Sequence, residues 1–181
     1  MAKVYTFLTE GFELVEAMAV VDILRRAGVE VVTVSIMDKK SVMSAQKVEV
    51  TADTMFADNE YDDADVLFLP GGPGTAGLEA HDGLVEVLTK HFSEGRYLAA
   101  ICAAPSVLGH LHFLKSKKAT CFPGFEDELL GAEFVPERVV CDGNIVTSRG
   151  MGTAIDLGLC LVGILVSDKR AEELAHSTQY R

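Results

Sequence analysis

The 181-residue chain has no tryptophan, five prolines and four cysteines, and its 16 lysines and arginines are outnumbered by 27 aspartates and glutamates. Each shortage excludes something. Cys102, Cys121, Cys141 and Cys160 lie far apart, with no C-x-x-C pair and no Cys/His spacing of a zinc site, so neither a disulfide framework nor a metal centre is expected. None is needed for folding: one domain of this length, residues 1–181, buries roughly 70% of its unfolded surface without staples. The net charge of −11 disfavours nucleic acid and anionic membrane as partners and leaves small molecules. The longest apolar stretch, Met151 to Val166, is shorter than the roughly 20 residues of a bilayer span and carries Asp156, so it reads as a buried helix. The first residues contain no apolar run followed by a small-residue cleavage site, so the cytoplasm, with reduced thiols, is the expected compartment. No repeat, low-complexity tract or Pro/Ser-rich linker divides the chain.

What is present is an alternation of strand and helix patterns. Lys3 to Leu8 reads as a strand, Gly11 to Gly28 as a helix closed by glycine, and Val29 to Ile36 as a β-branched run of the kind buried in parallel sheets. Weaker strand candidates around Val42 and Val48 to Thr51 come next. Then follow the strand Ala64 to Pro70, a helix from about Gly83 to Phe92, the strand Tyr97 to Ile101 and a helix from Ala104 to about His112. A strand near Ala119 to Cys121, a hairpin turning at Asp142-Gly143-Asn144, the buried helix and a last helix around Arg170 to His176 complete the pattern. The order predicts a mostly parallel sheet with helices on both faces.

Ligands in such sheets collect beyond the carboxyl ends of the strands, where two segments arrive. The first, LPGGPGTAG, contains a G-x-G-x-x-G match at Gly72 to Gly77. It follows a late strand rather than the first, and Pro73 removes a donor where a pyrophosphate would need one, so the glycines fit better as a turn offering the Gly71 and Gly72 amides. A ligand-free connector is the plain alternative. The second, AAICAAP, sets Cys102 among small residues at a strand-to-helix change, as a nucleophile elbow requires. The following helix end, with Pro105 in its first turn, would favour the thiolate and depress its pKa. An inert buried cysteine satisfies the same local pattern. Glu16 shares a helix face with Val20, Ile23 and Ala27, so it is expected to point into apolar surroundings, with its pKa raised and its carboxyl able to donate to a sulfur. A snorkelling glutamate is the alternative there. Cys121, Cys141 and Cys160 read as packing residues, and the five histidines as surface or helix residues.

The motifs GFELVEA, DILRRAGVEV, LPGG, AAICAAP and TSRGMGTAIDLGL, in this order along nearly the whole chain, resemble the ThiJ/PfpI superfamily and, within it, the DJ-one branch. The resemblance implies a flavodoxin-like three-layer α/β sandwich, Cys102 as the reactive elbow cysteine and Glu16 as its protonated partner. It also implies backbone donors at Gly71, Gly72 and Ala103, no cofactor, no metal and a homodimer. Part of the first helix, with Leu14, Met18 and Val21, would face the twin. Members are associated with oxidative-stress protection, cysteine sulfinate, and glyoxalase or deglycase activity on methylglyoxal and its early protein adducts.

Departures narrow this further. Protease-like members carry His after the cysteine, where this chain has Ala103, and no His and Glu pair follows as glutamine amidotransferases require. Phe122 precedes Pro123 where human-type members have His, which removes a nearby acid or base. The expected function is therefore a cysteine-dependent reaction on a small α-oxoaldehyde or a glycated substrate. A redox sensor or redox-regulated chaperone without turnover is the alternative, and a fold relic with a structural elbow the plainest one.

Overall fold

The computed structural model describes residues 1–180. A seven-stranded sheet runs through the middle, built from β1 (Lys3–Leu8), β2 (Glu30–Ser35), β5 (Thr54–Met55), β6 (Val66–Leu69), β7 (Tyr97–Ile101), β10 (Val139–Asp142) and β11 (Ile145–Ser148). Their order is β10-β11-β7-β6-β1-β2-β5, all parallel except the β10–β11 hairpin. Two small pairs stand apart: β3 (Ser41–Met43) with β4 (Glu49–Thr51), and β8 (Lys118–Ala119) with β9 (Glu133–Phe134). The helices are α1 (Leu14–Ala27), α2 (Thr75–Glu79), α3 (Asp82–Ser93), α4 (Pro105–His110), α5 (Ala154–Leu165) and α6 (Asp168–Ser177).

Side chains alternating along the central strands divide the core. In β6, Val66 and Phe68 join α1, α5 and α6 on one face, while Leu67 and Leu69 join α3 and α4 on the other. In β7, Ala99 and Ile101 face one way and Leu98 and Ala100 the other. The three-layer α/β sandwich is thus the one expected. No helix among the described residues is long and apolar enough to cross a membrane.

Several local expectations change. The strand near Cys121 is shorter and pairs with β9 outside the main sheet. The buried helix starts only at Ala154, preceded by a 3₁₀ turn over Met151–Thr153 whose Met151 is 56% exposed. The second apolar side of α1 is already used: Leu14 and Met18 pack on a cluster with Leu8, Phe12 and Val42 from the β3–β4 hairpin, and Val21 is buried in the core under α5 and α6. Those side chains offer a twin less surface than their periodicity suggests. The short β5 and α2 carry too few residues to leave a pattern in the sequence.

From β1 the chain steps outward to β2, then returns to β6 on β1's other side, so the order reverses between β1 and β6. Loops diverge above such a point and leave a crevice. Here the loops after β1 and β6 bind each other instead, with Gly74 N–H donating to Gly11 O (3.0 Å) and Glu13 N–H to Gly71 O (2.9 Å). A methyl group on Gly74 would sit 2.2 Å from Glu10 O. That close approach of backbone to backbone, rather than a pyrophosphate, accounts for the glycine spacing.

Candidate active site

Cys102 follows the last residue of β7 in the left-handed conformation (φ 64°), uncommon for a residue with a side chain. The strain persists because both its peptide groups are held. Its N–H donates to Ser148 O at the end of β11 (2.9 Å), and its carbonyl accepts from Phe122 N–H (2.9 Å). Ala103 and Ala104 are buried, and Pro105 opens α4 where no donor is required. This is the backbone geometry of an elbow, with the side chain lifted off the sheet.

Glu16, in the first turn of α1, is 1% exposed. Its carboxyl is packed beside Cys102, against the same point above Gly71. Gly71 fills the remaining gap: a methyl there would stand 2.6 Å from Cys102 Cβ and 2.7 Å from Glu16 Oε2, so only glycine lets the loop after β6 seat both groups. The Gly71 amide donates to Glu16 Oε2 (3.1 Å). Gly71 is thus a backbone donor, and its N–H is spent on the Glu16 carboxyl. The amides of Gly72 and Ala103 are the ones that face the sulfur.

Burial pushes the Glu16 carboxyl up to about 7, against which the thiol and the Gly71 and Met151 amides work. The thiol goes up rather than down. Burial first, then the Glu16 charge, push it to about 12, and the Ala103 and Gly72 amides offset only part of that. A helix of six residues opening beside a half-buried sulfur does not outweigh lost solvation and an adjacent carboxylate. The two groups titrate as a pair. Between about 7 and about 12 they share one negative charge and one proton. With the proton on Glu16, the repulsion that raises the thiol vanishes and a donor faces the sulfur.

The turn at Gly150 and Met151 was not expected at the site, whereas Phe122 was. The Met151 amide faces the Glu16 carboxyl, and the Phe122 ring lies against Gly150, with Cδ2 3.2 Å from where a Cβ would stand; Glu16 Oε1 is 3.7 Å from that same point. Ser148 and Thr153 hold this turn through an Oγ···Oγ1 contact of 2.7 Å, and Gly150 N–H donates to Thr153 Oγ1 (3.1 Å). The signal was available: Arg149-Gly150-Met151-Gly152 follows the strand beside β7 at the same sheet end. The other thiols lie elsewhere, with Cys121 buried, Cys160 half-buried and Cys141 exposed rather than packed. Among the histidines, His91 is a buried residue of helix α3. His91 is 3% exposed, its Nε2 3.1 Å from Tyr97 O, and burial lowers it to about 4.

A mostly parallel α/β sandwich whose elbow cysteine is backed by a buried glutamate defines a class of cysteine-centred proteins distinct from those with a cysteine-histidine pair. The chain belongs to the DJ-1/PfpI family, whose pattern it matches over residues 2–163. It is 37% identical over 176 residues to protein DJ-1 homolog B of Arabidopsis thaliana, an alignment covering 96% of this chain but 40% of that one. The chain thus spans about two fifths of that plant relative's length. It is 32% identical over 152 residues to Deglycase PfpI of Pyrococcus furiosus, covering 83% of this chain and 91% of that one. The fold superposes on the Toxoplasma gondii structure "DJ-1, oxidized" with a TM-score of 0.95 at 33% identity, over 99% of this chain and 98% of that one.

Proposed function

We propose that this protein acts on α-oxoaldehydes through Cys102, as a glutathione-independent glyoxalase and protein deglycase. The observation that carries the reading is the buried Glu16 carboxyl, raised by its burial, beside the strained Cys102 thiol. With a proton on Glu16, the thiolate adds to the aldehyde carbon of methylglyoxal, and the new oxyanion takes a proton to give a hemithioacetal. The Gly72 and Ala103 amides, beside the sulfur, would donate to that oxygen. Glu16, now a carboxylate, removes the proton from the former aldehyde carbon; the electron pair forms an enediol, and reprotonation at the neighbouring carbon gives a thioester of lactate. Water cleaves it, releasing lactate and the thiol. No external oxidant or cofactor enters, because one carbon is oxidised while its neighbour is reduced. An early glycation adduct presents the same carbon to the same thiolate, with the amine as leaving group.

The deglycase name of the Pyrococcus relative supports this reading. The test is lactate production from methylglyoxal without glutathione, expected from wild type and absent from Cys102→Ser. No lactate from wild type would overturn it. The oxidised Toxoplasma relative favours a second reading, in which two equivalents of peroxide convert the thiolate to sulfinate and yield two waters. A protonated Glu16 would then hold the sulfinate by a charge-assisted hydrogen bond. Mass spectrometry after mild peroxide tests this: a product mixture unchanged in Glu16→Ala would oppose it. A cytoplasmic homodimer belongs to the same proposal, supported by four unpaired thiols and by the exposed Val15 on α1. Sedimentation showing monomers alone at micromolar concentration would remove the dimer.

A further inference from the structure

We infer that Phe122 selects among α-oxoaldehydes, its ring forming an apolar wall at the mouth that favours substrates with an aryl or bulky apolar group on the ketone carbon. This inference rests on the glyoxalase reading for its substrate class. Phe122 is 47% exposed, which for a phenylalanine leaves a large apolar area in water. It is nevertheless pinned. Its N–H donates to Cys102 O (2.9 Å), its carbonyl accepts from Phe125 N–H (3.1 Å), and Pro123 restricts its backbone to extended values. The ring edge is wedged against Gly150, beside Glu16, while the rest of the ring faces outward. Met151, 56% exposed, continues the apolar surface along the next residue of that turn.

The chemistry determines where a substituent must go. Once sulfur is bonded to the aldehyde carbon, the first atom of the ketone substituent is three bonds from Sγ. Inward, the space is taken by the loop at Gly71 and by the buried carboxyl. The substituent therefore leaves through the mouth, past a side chain that neither donates nor accepts a hydrogen bond. A methyl group covers little of the ring there, and a phenyl group covers much more. An apolar contact of this kind discriminates by about tenfold, the low end of what a hydrophobic wall achieves.

The experiment compares phenylglyoxal with methylglyoxal, as the ratio of their kcat/KM values, in wild type, Phe122→Leu and Phe122→Ala. Circular dichroism checks that each variant is folded. The ratio is expected to fall about tenfold in Phe122→Ala and to be partly kept in Phe122→Leu. A second readout needs no turnover: the rates at which 2-bromoacetophenone and bromoacetone alkylate Cys102, followed by peptide mass spectrometry so that the exposed Cys141 is counted separately. Their ratio should fall in the same way. An alkylation ratio that does not change in folded Phe122→Ala overturns the inference, whatever the turnover. A ratio that falls in an enzyme producing neither lactate nor mandelate sustains the wall and removes the glyoxalase reading alone.

Discussion

The short helix α4 has an acid-partnered group at each end. Just before its start, Cys102 faces the buried Glu16; in its last turn, His110 lies between Glu79 and Glu128, each 2.8 Å from a ring nitrogen. Solvation and the charge of the partner, an anion at the thiol and a cation at the histidine, separate the two arrangements. At the open end the three side chains are 31–51% exposed, and Glu128 first, then Glu79, raise the histidine. At the buried end the same kind of group is costly as an anion, and the carboxyl itself is raised to about 7. A carboxylate in water fixes its partner's charge, whereas a carboxyl out of water becomes a proton carrier.

Removing the carboxyl at each end tests this contrast most strongly. Glu16→Ala should lower methylglyoxal turnover by the roughly 10²–10⁴-fold of a lost general acid/base, whereas Glu79→Ala should change it less than about twofold. Wild-type turnover should also rise with pH through about 7, as the pair loses its first proton, and Glu16→Ala should lose that rise. Lactate assays from pH 5 to 9 check both, and equal losses in the two variants would erase the distinction.

Stability should show the cost of the buried charge. Because Glu16 is raised from its ordinary 4.5 to about 7, the folded state binds the extra proton between those values, and stability falls as pH rises across that window. Glu16→Gln is expected to gain roughly 3 kcal/mol at pH 8 and little near pH 4.5, measured by urea unfolding at both. A gain independent of pH would mean that packing, not charge, sets it.

His91 and His110 extend the contrast to one residue type. Buried His91 is lowered to about 4 from 6.5, so the unfolded state takes the proton first, and stability is lost as pH falls from about 6.5 towards 4. Wild type should lose roughly 2–3 kcal/mol over that range through this residue, and His91→Gln should flatten the loss. His110 is raised, so its contribution is complete below the unfolded value and disappears as pH rises through the folded one. His110→Ala should cost only about 0.2–1 kcal/mol at pH 5.5, as exposed pairs do, and nothing at pH 9. Paired melting curves distinguish the two, and a His110 loss as steep as that of His91 would contradict the role given to solvation.

The sheet and its helices were legible in the sequence because each long element buries one face or two. The Val29 to Ile36 run, the α1 stripe through Glu16, Val20 and Ile23, and the small residues around Cys102 carry their periodicity or sterics locally. A strand-to-helix elbow is a backbone event among adjacent residues, so its cysteine could be located without coordinates. The sequence could not show what comes from distant parts of the chain. That the Gly71 amide binds Glu16, that Gly150 and Met151 close over the carboxyl, that the Phe122 ring lies against Gly150 and that the β3–β4 hairpin covers Leu14 and Met18 depend on separations of roughly 25 to 135 residues. The direction of the thiol's pKa belongs to that second group. Helix-end favour can be read from neighbours in sequence, but lost water and an opposing carboxylate arise only when α1, β6 and β7 are brought together, and there they outweigh it.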